Sequence, residues 1–302
     1  MAATGPTTTW GTRPELSLGH LLELLDLQRV PTEDDAPAEF RGRPQLHPAD
    51  RVFGGLLLAQ ALVAAGMSAP EQHRPLALHA EFLQGVPTDE DLVWKVERIA
   101  DGPSMTVRRT TLDAADGSAR FTATSRWGTR REDLVSYSSL RPLETPPPED
   151  LRDLEDRFGD AEVPVWWRMR RPVHFRHVQS PAYTAAVLPE QEHQSVWVRA
   201  RGSVPADPAV QAAILAYVSD MSILEPVFRA RRSARHAPGS RILSLSHFLT
   251  FHGSADLSQW HQLDARCNTV AQGRALGSGE FFDRDGAHLA SINQLALVKV
   301  GE

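Results

Sequence analysis

Two stretches that are apolar on every side constrain this chain more than anything else in it. Arg51–Gly66 (RVFGGLLLAQALVAAG) has almost no polar position over about four helical turns, and it ends at a glycine, a common helix stop. Asp207–Leu224 (DPAVQAAILAYVSDMSIL) has the same character, with Asp207 set to cap its start and Pro208 at the first helical position. A helix without a polar face must be covered all round. The chain has 302 residues, enough for one large domain or two ordinary ones, so each helix can have its own wrapping.

Strand-like runs supply that wrapping, in the same order twice. Ala77–Val86, Leu92–Ala100, Ser104–Ala114 and Ser118–Gly128 follow the first helix and are rich in β-branched and aromatic residues. Leu243–Gly253, Trp260–Ala271, Gly273–Arg284 and His288–Val300 follow the second, with a further strand expected at Val196–Val204. In each half an Asp-Gly pair, Asp116-Gly117 or Asp285-Gly286, divides the last two runs and marks a hairpin, because glycine tolerates positive φ. Superposing these turns sets Arg98 opposite Cys267. Leu16–Leu27 has leucines at helical spacing and predicts an amphipathic leading helix, followed by a loop with a short edge strand. Arg141–Asp156 carries three consecutive prolines and predicts an extended, stiff spacer. The expected fold class is α+β, with domains at 16–140 and 173–302 and a linker at 141–172. Each domain wraps an antiparallel sheet around a central helix, and the two sheets join as one, which removes exposed edges.

Composition narrows the function. A hydrophobic share of 41% with 23% charged residues suits a globular chain that buries its core without metal or disulfide staples. A net charge of −6 gives nucleic-acid binding no electrostatic support. No apolar run reaches the ~18–20 residues of a membrane span, and the N-terminal segment does not resemble a secretory leader, so a cytoplasmic location is expected. The single cysteine, Cys267, cannot form an intrachain disulfide and is expected to be a small buried core residue. No metal-binding spacing, phosphate loop, dinucleotide fingerprint or Gly-x-Ser-x-Gly elbow is present, so no metal or cofactor is expected.

Asp220 is the candidate with the sharpest chemistry. A carboxylate amid apolar neighbours on a buried helix is costly unless hydrogen-bonded or useful, and burial raises its basicity. It reads either as a general base or as a cap at a helix end. Ser244 and Gln294, taken singly, are ordinary strand residues. The Gly54-Gly55 step serves either close packing or backbone N–H donation to an oxyanion. His79 and His247 read as structural histidines at matching strand positions. Trp166 and Trp167 suggest packing or part of an acyl pocket.

Several strings, in order, resemble the type II (TesB-like) acyl-CoA thioesterases. They are RVFGGLLLAQAL (Arg51–Leu62), LHAEFLQG (Leu78–Gly85), DGPSMTVRR (Asp101–Arg109), the segment Val196–Leu224 with its Tyr-x-Ser-Asp, LSHFLTFH (Leu245–His252) and GEFFDRDGAHLASINQ (Gly279–Gln294). The resemblance runs from about Leu18 to the C-terminus. It implies a double hot-dog fold, hydrolysis of acyl-CoA thioesters and further association into a homo-oligomer. It also implies a water held by Asp220, Ser244 and Gln294, with Phe53, Gly54, Gly55 and His79 as substrate-binding candidates. Three strings depart from the family pattern: Phe82-Leu83-Gln84-Gly85-Val86, Thr250-Phe251-His252-Gly253 and Gln294-Leu295-Ala296. Alternatives are a hot-dog enzyme acting on another acyl thioester, such as a carrier-protein-bound one, and a non-catalytic acyl-thioester binder. Hydratase chemistry would want Asp-x-x-x-x-His on a central helix, and Glu225 stands five residues after Asp220 instead.

Overall fold

The computed structural model describes residues 16–33, 36–47, 50–131, 134–158, 165–183 and 192–301. In chain order the first half contains α1 (Leu18–Leu25), β1 (Gln28–Val30), β2 (Ala38–Gly42), α2 (Gly54–Gly66), β3 (His73–Phe82), β4 (Leu92–Asp101), β5 (Met105–Asp113) and β6 (Ala119–Thr129). Two short helices, α3 (Leu154–Phe158) and α4 (Val165–Arg168), come next. The second half contains β7 (Val173–His177), β8 (His193–Ala200), α5 (Pro208–Ser219), α6 (Glu225–Ala230), β9 (Arg241–Phe251), β10 (His261–Ala271), β11 (Arg274–Asp283) and β12 (His288–Lys299).

The described strands form one 12-stranded sheet in the order β1-β2-β4-β5-β6-β3-β9-β12-β11-β10-β8-β7, with antiparallel ladders throughout. The halves meet where β3 pairs with β9, His79 lying opposite Phe248 and Ala80 opposite His247. Three β-bulges mark the first half, at Leu76, Ile99 and Arg120. Three mark the second, at Leu245, Asn268 and Leu289. One constant offset carries each bulge to its counterpart and also superposes the Asp-Gly turns, whose glycines hold φ of 82° and 87°. The chain is therefore a duplicated unit, down to the irregularities of its sheet.

The apolar helices lie between the wings of this sheet. Leu56, Leu58, Ala59, Ala61 and Leu62 of α2 are wholly buried, as are Ala213, Ile214, Ala216 and Val218 of α5. Each leucine contributes roughly 1.5–3 kcal/mol by leaving water. The one amide inside α2, Gln60, is fully bonded: Nε2 donates to the carbonyls of Leu24 (2.7 Å) and Arg43 (2.9 Å), and Oε1 accepts from Trp94 Nε1 (2.9 Å). The start of α2 meets the end of α5, because a Cβ on Gly55 would lie 2.4 Å from the Tyr217 carbonyl.

Several sequence expectations need correction. The second apolar helix stops at Ser219 rather than Leu224. Pro226 is the second residue of α6, and a helix running through it from α5 would set its ring against the carbonyl four residues back. Strand β7 was not foreseen, although Val173, Phe175 and His177 alternate inward. The proline-rich segment is extended, but it is tied to the sheet rather than standing off as a spacer. Leu143 N–H donates to Asp264 (2.8 Å), and Trp197 Nε1 donates to Thr145 Oγ1 (3.2 Å). Cys267 is half-buried beside a bulge, not a core residue. His79 and His247 do not occupy matching positions: the offset that superposes the bulges pairs His79 with Phe248 and Leu78 with His247. His79 is exposed, whereas His247 is fully buried. No helix among the described residues is long and apolar enough to cross a membrane.

Candidate active site

Asp220 is the first residue past the end of α5, with φ −88° and ψ −4°. Its Oδ1 accepts a 2.8 Å hydrogen bond from Gln294 Nε2. The other N–H of that amide reaches Ser244 Oγ at 2.6 Å. Ser244 stands on β9 and Gln294 on the neighbouring β12, so a helix end and two strands converge on one point. The structure thus brings together all three residues singled out as a water-holding set.

Behind Gln294 a buried chain fixes the amide. Gln294 Oε1 lies 2.9 Å from His247 Nδ1, directly across the strand pair, and His247 Nε2 lies 2.9 Å from Ser219 Oγ. Both Gln294 N–H groups already have acceptors, so its oxygen must accept from His247 Nδ1–H. His247 Nε2 is then the acceptor facing Ser219 Oγ, whose single proton is shared between this nitrogen and the Ala216 carbonyl at 2.8 Å. Burial lowers the His247 pKa to about 4, so the ring is neutral near pH 7 and keeps this tautomer. Sequence reasoning set His247 aside as structural. Its signal lay in strand alternation, because it shares the buried face of β9 with Leu249.

Burial pushes the Asp220 carboxyl up to about 6, against the opposing pull of Gln294, the Arg235 charge and the Gly55 backbone N–H. Its place at the negative end of α5 adds to the same upward push. The glycine step of α2 makes room for it. A Cβ on Gly54 would lie 2.7 Å from Asp220 Oδ2 and 3.1 Å from the Phe82 ring, and one on Gly55 would strike Phe53 and the Tyr217 carbonyl at 2.4 Å. Packing and chemistry coincide at this step.

Aromatic side chains wall the site. Phe53 caps α2 and sits 5.2 Å edge-on to Tyr217 and 5.4 Å from Trp166. Trp167 is buried and stacks on Tyr183 at 3.7 Å, with the Arg235 guanidinium 5.2 Å from its ring. His79 is not part of this cluster. It points from the opposite face of the sheet, 3.6 Å from Glu81 and edge-on to Phe248 at 5.5 Å, which removes the geometric basis for its expected contact with substrate.

A helix at the heart of each half of a twelve-stranded antiparallel sheet defines a double hot-dog protein, and a carboxylate, a hydroxyl and an amide converge where its helices meet. Residues 43–128 match the acyl-CoA thioesterase N-terminal domain, and residues 148–298 match the acyl-CoA thioesterase C-terminal domain. The chain belongs to the type II acyl-CoA thioesterase family. It is 25% identical to acyl-CoA thioesterase 2 of Haemophilus influenzae, over 94% of this chain and 99% of that protein. The solved tesB protein of Mycobacterium avium subs paratuberculosis superposes with a TM-score of 0.76 at 27% identity, covering 94% of this chain and all of that one. The solved acyl-CoA thioesterase II TesB2 of Mycobacterium marinum gives 0.74 at 26% identity, covering 93% and 99%.

Proposed function

We propose that this protein hydrolyses acyl-CoA thioesters to the free acid and CoA, using a water activated by Asp220. The observation that carries the reading is a buried carboxylate held 2.8 Å from an amide that also holds a serine hydroxyl, with burial pushing its pKa up to about 6. A base of that strength takes a proton near neutral pH, a contribution of typically ~10²–10⁴-fold in rate. Water in contact with Asp220 and Ser244 gives one proton to the carboxylate as its oxygen attacks the thioester carbonyl. The negative charge that develops on the carbonyl oxygen is met by the Gly54 N–H at the start of α2, for which no acceptor is present among the described residues. The tetrahedral intermediate collapses with cleavage of the C–S bond. A thiolate is a good enough leaving group to need no strong acid, and the proton on Asp220 returns to it or to solvent. Phe53, Phe82 and Trp166 bound the acyl side. The test is release of free thiol from acyl-CoAs of increasing chain length by the wild-type protein and by Asp220→Asn. A folded Asp220→Asn variant with near-normal turnover would remove Asp220 from the mechanism.

A homo-oligomer belongs to the same reading. Leu243, Phe248 and Leu297 are 53%, 38% and 46% exposed on adjoining strands of the outer face, and they give a second copy an apolar contact. Light scattering on wild-type protein and on Leu243→Glu tests it, a wild-type monomer being the contrary result. Residence in the cytoplasm is also proposed, and cell fractionation tests it.

A further inference from the structure

The duplicated sheet gives the site a geometric twin. The offset that superposes the bulges carries Ser244 to Pro75, Gln294 to Ser125, His247 to Leu78 and Phe82 to Phe251. The residue closing α2, as Asp220 closes α5, is Met67. Every group of the hydrolytic set is therefore missing at the twin position, and an empty, tightly packed corner would be the simple outcome. Instead, a cavity of about 990 Å³ opens there between the start of α5 and the ends of β3, β6 and β9. That volume is at the upper end for sites that hold a small molecule.

Its lining is amphiphilic. The floor is apolar: Leu76, Pro75, Phe251, Ala212 and Leu215. The rim carries Arg74, Arg130 and Arg131. Arg74 donates to the carbonyls of Glu71 (2.6 Å) and His73 (3.1 Å) and pairs with no carboxylate among the described residues. Among the described lining residues the carboxylate is Asp256, and it is turned into its own loop by Ser258, whose Oγ lies 2.6 Å away and whose N–H lies 3.1 Å away. An apolar floor under three guanidiniums suits a ligand with an acyl tail and a phosphate-bearing head.

We propose that this second cavity binds an acyl-CoA thioester without hydrolysing it. The ligand's identity rests on the thioesterase reading of the first site, but the cavity's existence does not. The cationic rim takes the phosphates and the apolar floor takes the acyl chain. The hydrolytic set is absent, because Pro75, Ser125 and Met67 stand in place of the serine, the amide and the carboxylate, and the imidazole of the lining, His252, is engaged by Ser291 Oγ at 3.0 Å.

The test is calorimetric titration of the full chain with a non-hydrolysable decyl thioether of CoA, with free CoA and decanoate titrated separately. Two thioether molecules per chain are expected for wild type and for Asp220→Asn. One is expected, or a second weakened at least tenfold, for the triple variant Arg74→Ala, Arg130→Ala, Arg131→Ala. Ala206→Trp fills the mouth from an exposed loop position without touching the core, and it is expected to lose the same molecule. A single molecule bound by wild type overturns the proposal, as does a second molecule indifferent to both variants. Competition at the second site by decanoate but not by CoA overturns the head-group assignment. If wild type binds two thioether molecules yet releases no thiol from any acyl-CoA, the hydrolytic reading fails and the second site stands.

Discussion

Gln294 gives one amide proton to Asp220, at 2.8 Å, and is itself held by His247 from the far side of its oxygen. The base is thus oriented by a side chain that cannot titrate, which in turn is oriented by a histidine kept neutral by burial. Each consequence of that relay can be measured.

Replacing Gln294 by alanine removes a hydrogen bond to a charged group, worth about 1.5–3 kcal/mol, and frees Ser244 as well. The expected result is a kcat about tenfold to hundredfold lower and an Asp220 pKa above its present value near 6, because Gln294 now pulls it down. Steady-state kinetics across pH 5–8 checks both, and the acid limb should move upward.

His247→Ala acts on the site only through Gln294. It opens a cavity and leaves Gln294 Oε1 and Ser219 Oγ without their ring partner, a cost of about 2–4 kcal/mol in stability. kcat is expected to fall while KM changes little, since the ring lies behind the amide. A variant that loses stability but keeps kcat would leave His247 with a packing role alone.

The two glycines of α2 separate by experiment. Gly55→Ala sets a methyl against the Tyr217 backbone carbonyl at 2.4 Å and is expected to lower Tm, with overpacking costs of typically 1–3 kcal/mol. Gly54→Ala meets the Asp220 carboxylate at 2.7 Å, so its expected effect is on turnover more than on folding. Thermal melts and thiol-release rates on the pair check the split.

Stability should carry a pH signature with opposed parts. The folded pKa of Asp220 is raised, so the folded state binds its proton more tightly than the unfolded chain does. Asp220 therefore weakens the fold as pH rises from about 4 to about 6. The folded pKa of His247 is lowered from 6.5 to about 4, so its contribution is present above about 6.5 and is lost as pH falls toward 4. The Tm difference between Asp220→Asn and wild type is expected to grow between pH 4 and 6 and to be flat above, as melts in a buffer series will show.

Much of this was legible in the sequence because it depended on local pattern. The apolar helices and the Asp-Gly turns are marked by residue type and order and Asp220 by its apolar neighbours, whereas Ser244 and Gln294 stood out only through the family resemblance. What stayed hidden depended on which side of the sheet a residue faces. His79 and His247 look alike along the chain, yet a one-residue difference in phase sends one to solvent and the other into the core. The walls formed by Phe53, Tyr217 and Trp166 come from distant segments that only the packed helices bring together. The twin cavity was invisible for the same reason, since it is defined by the sheet offset and not by any motif.

The most direct measurement is the pH dependence of kcat/KM for thioester hydrolysis by wild type and by Asp220→Asn. The expected wild-type profile falls with unit slope below an inflection near 6, and the variant, strongly slowed, has no inflection there. An inflection near 6 that persists unchanged in the variant, at a similar rate, would mean that the proton is taken by another group.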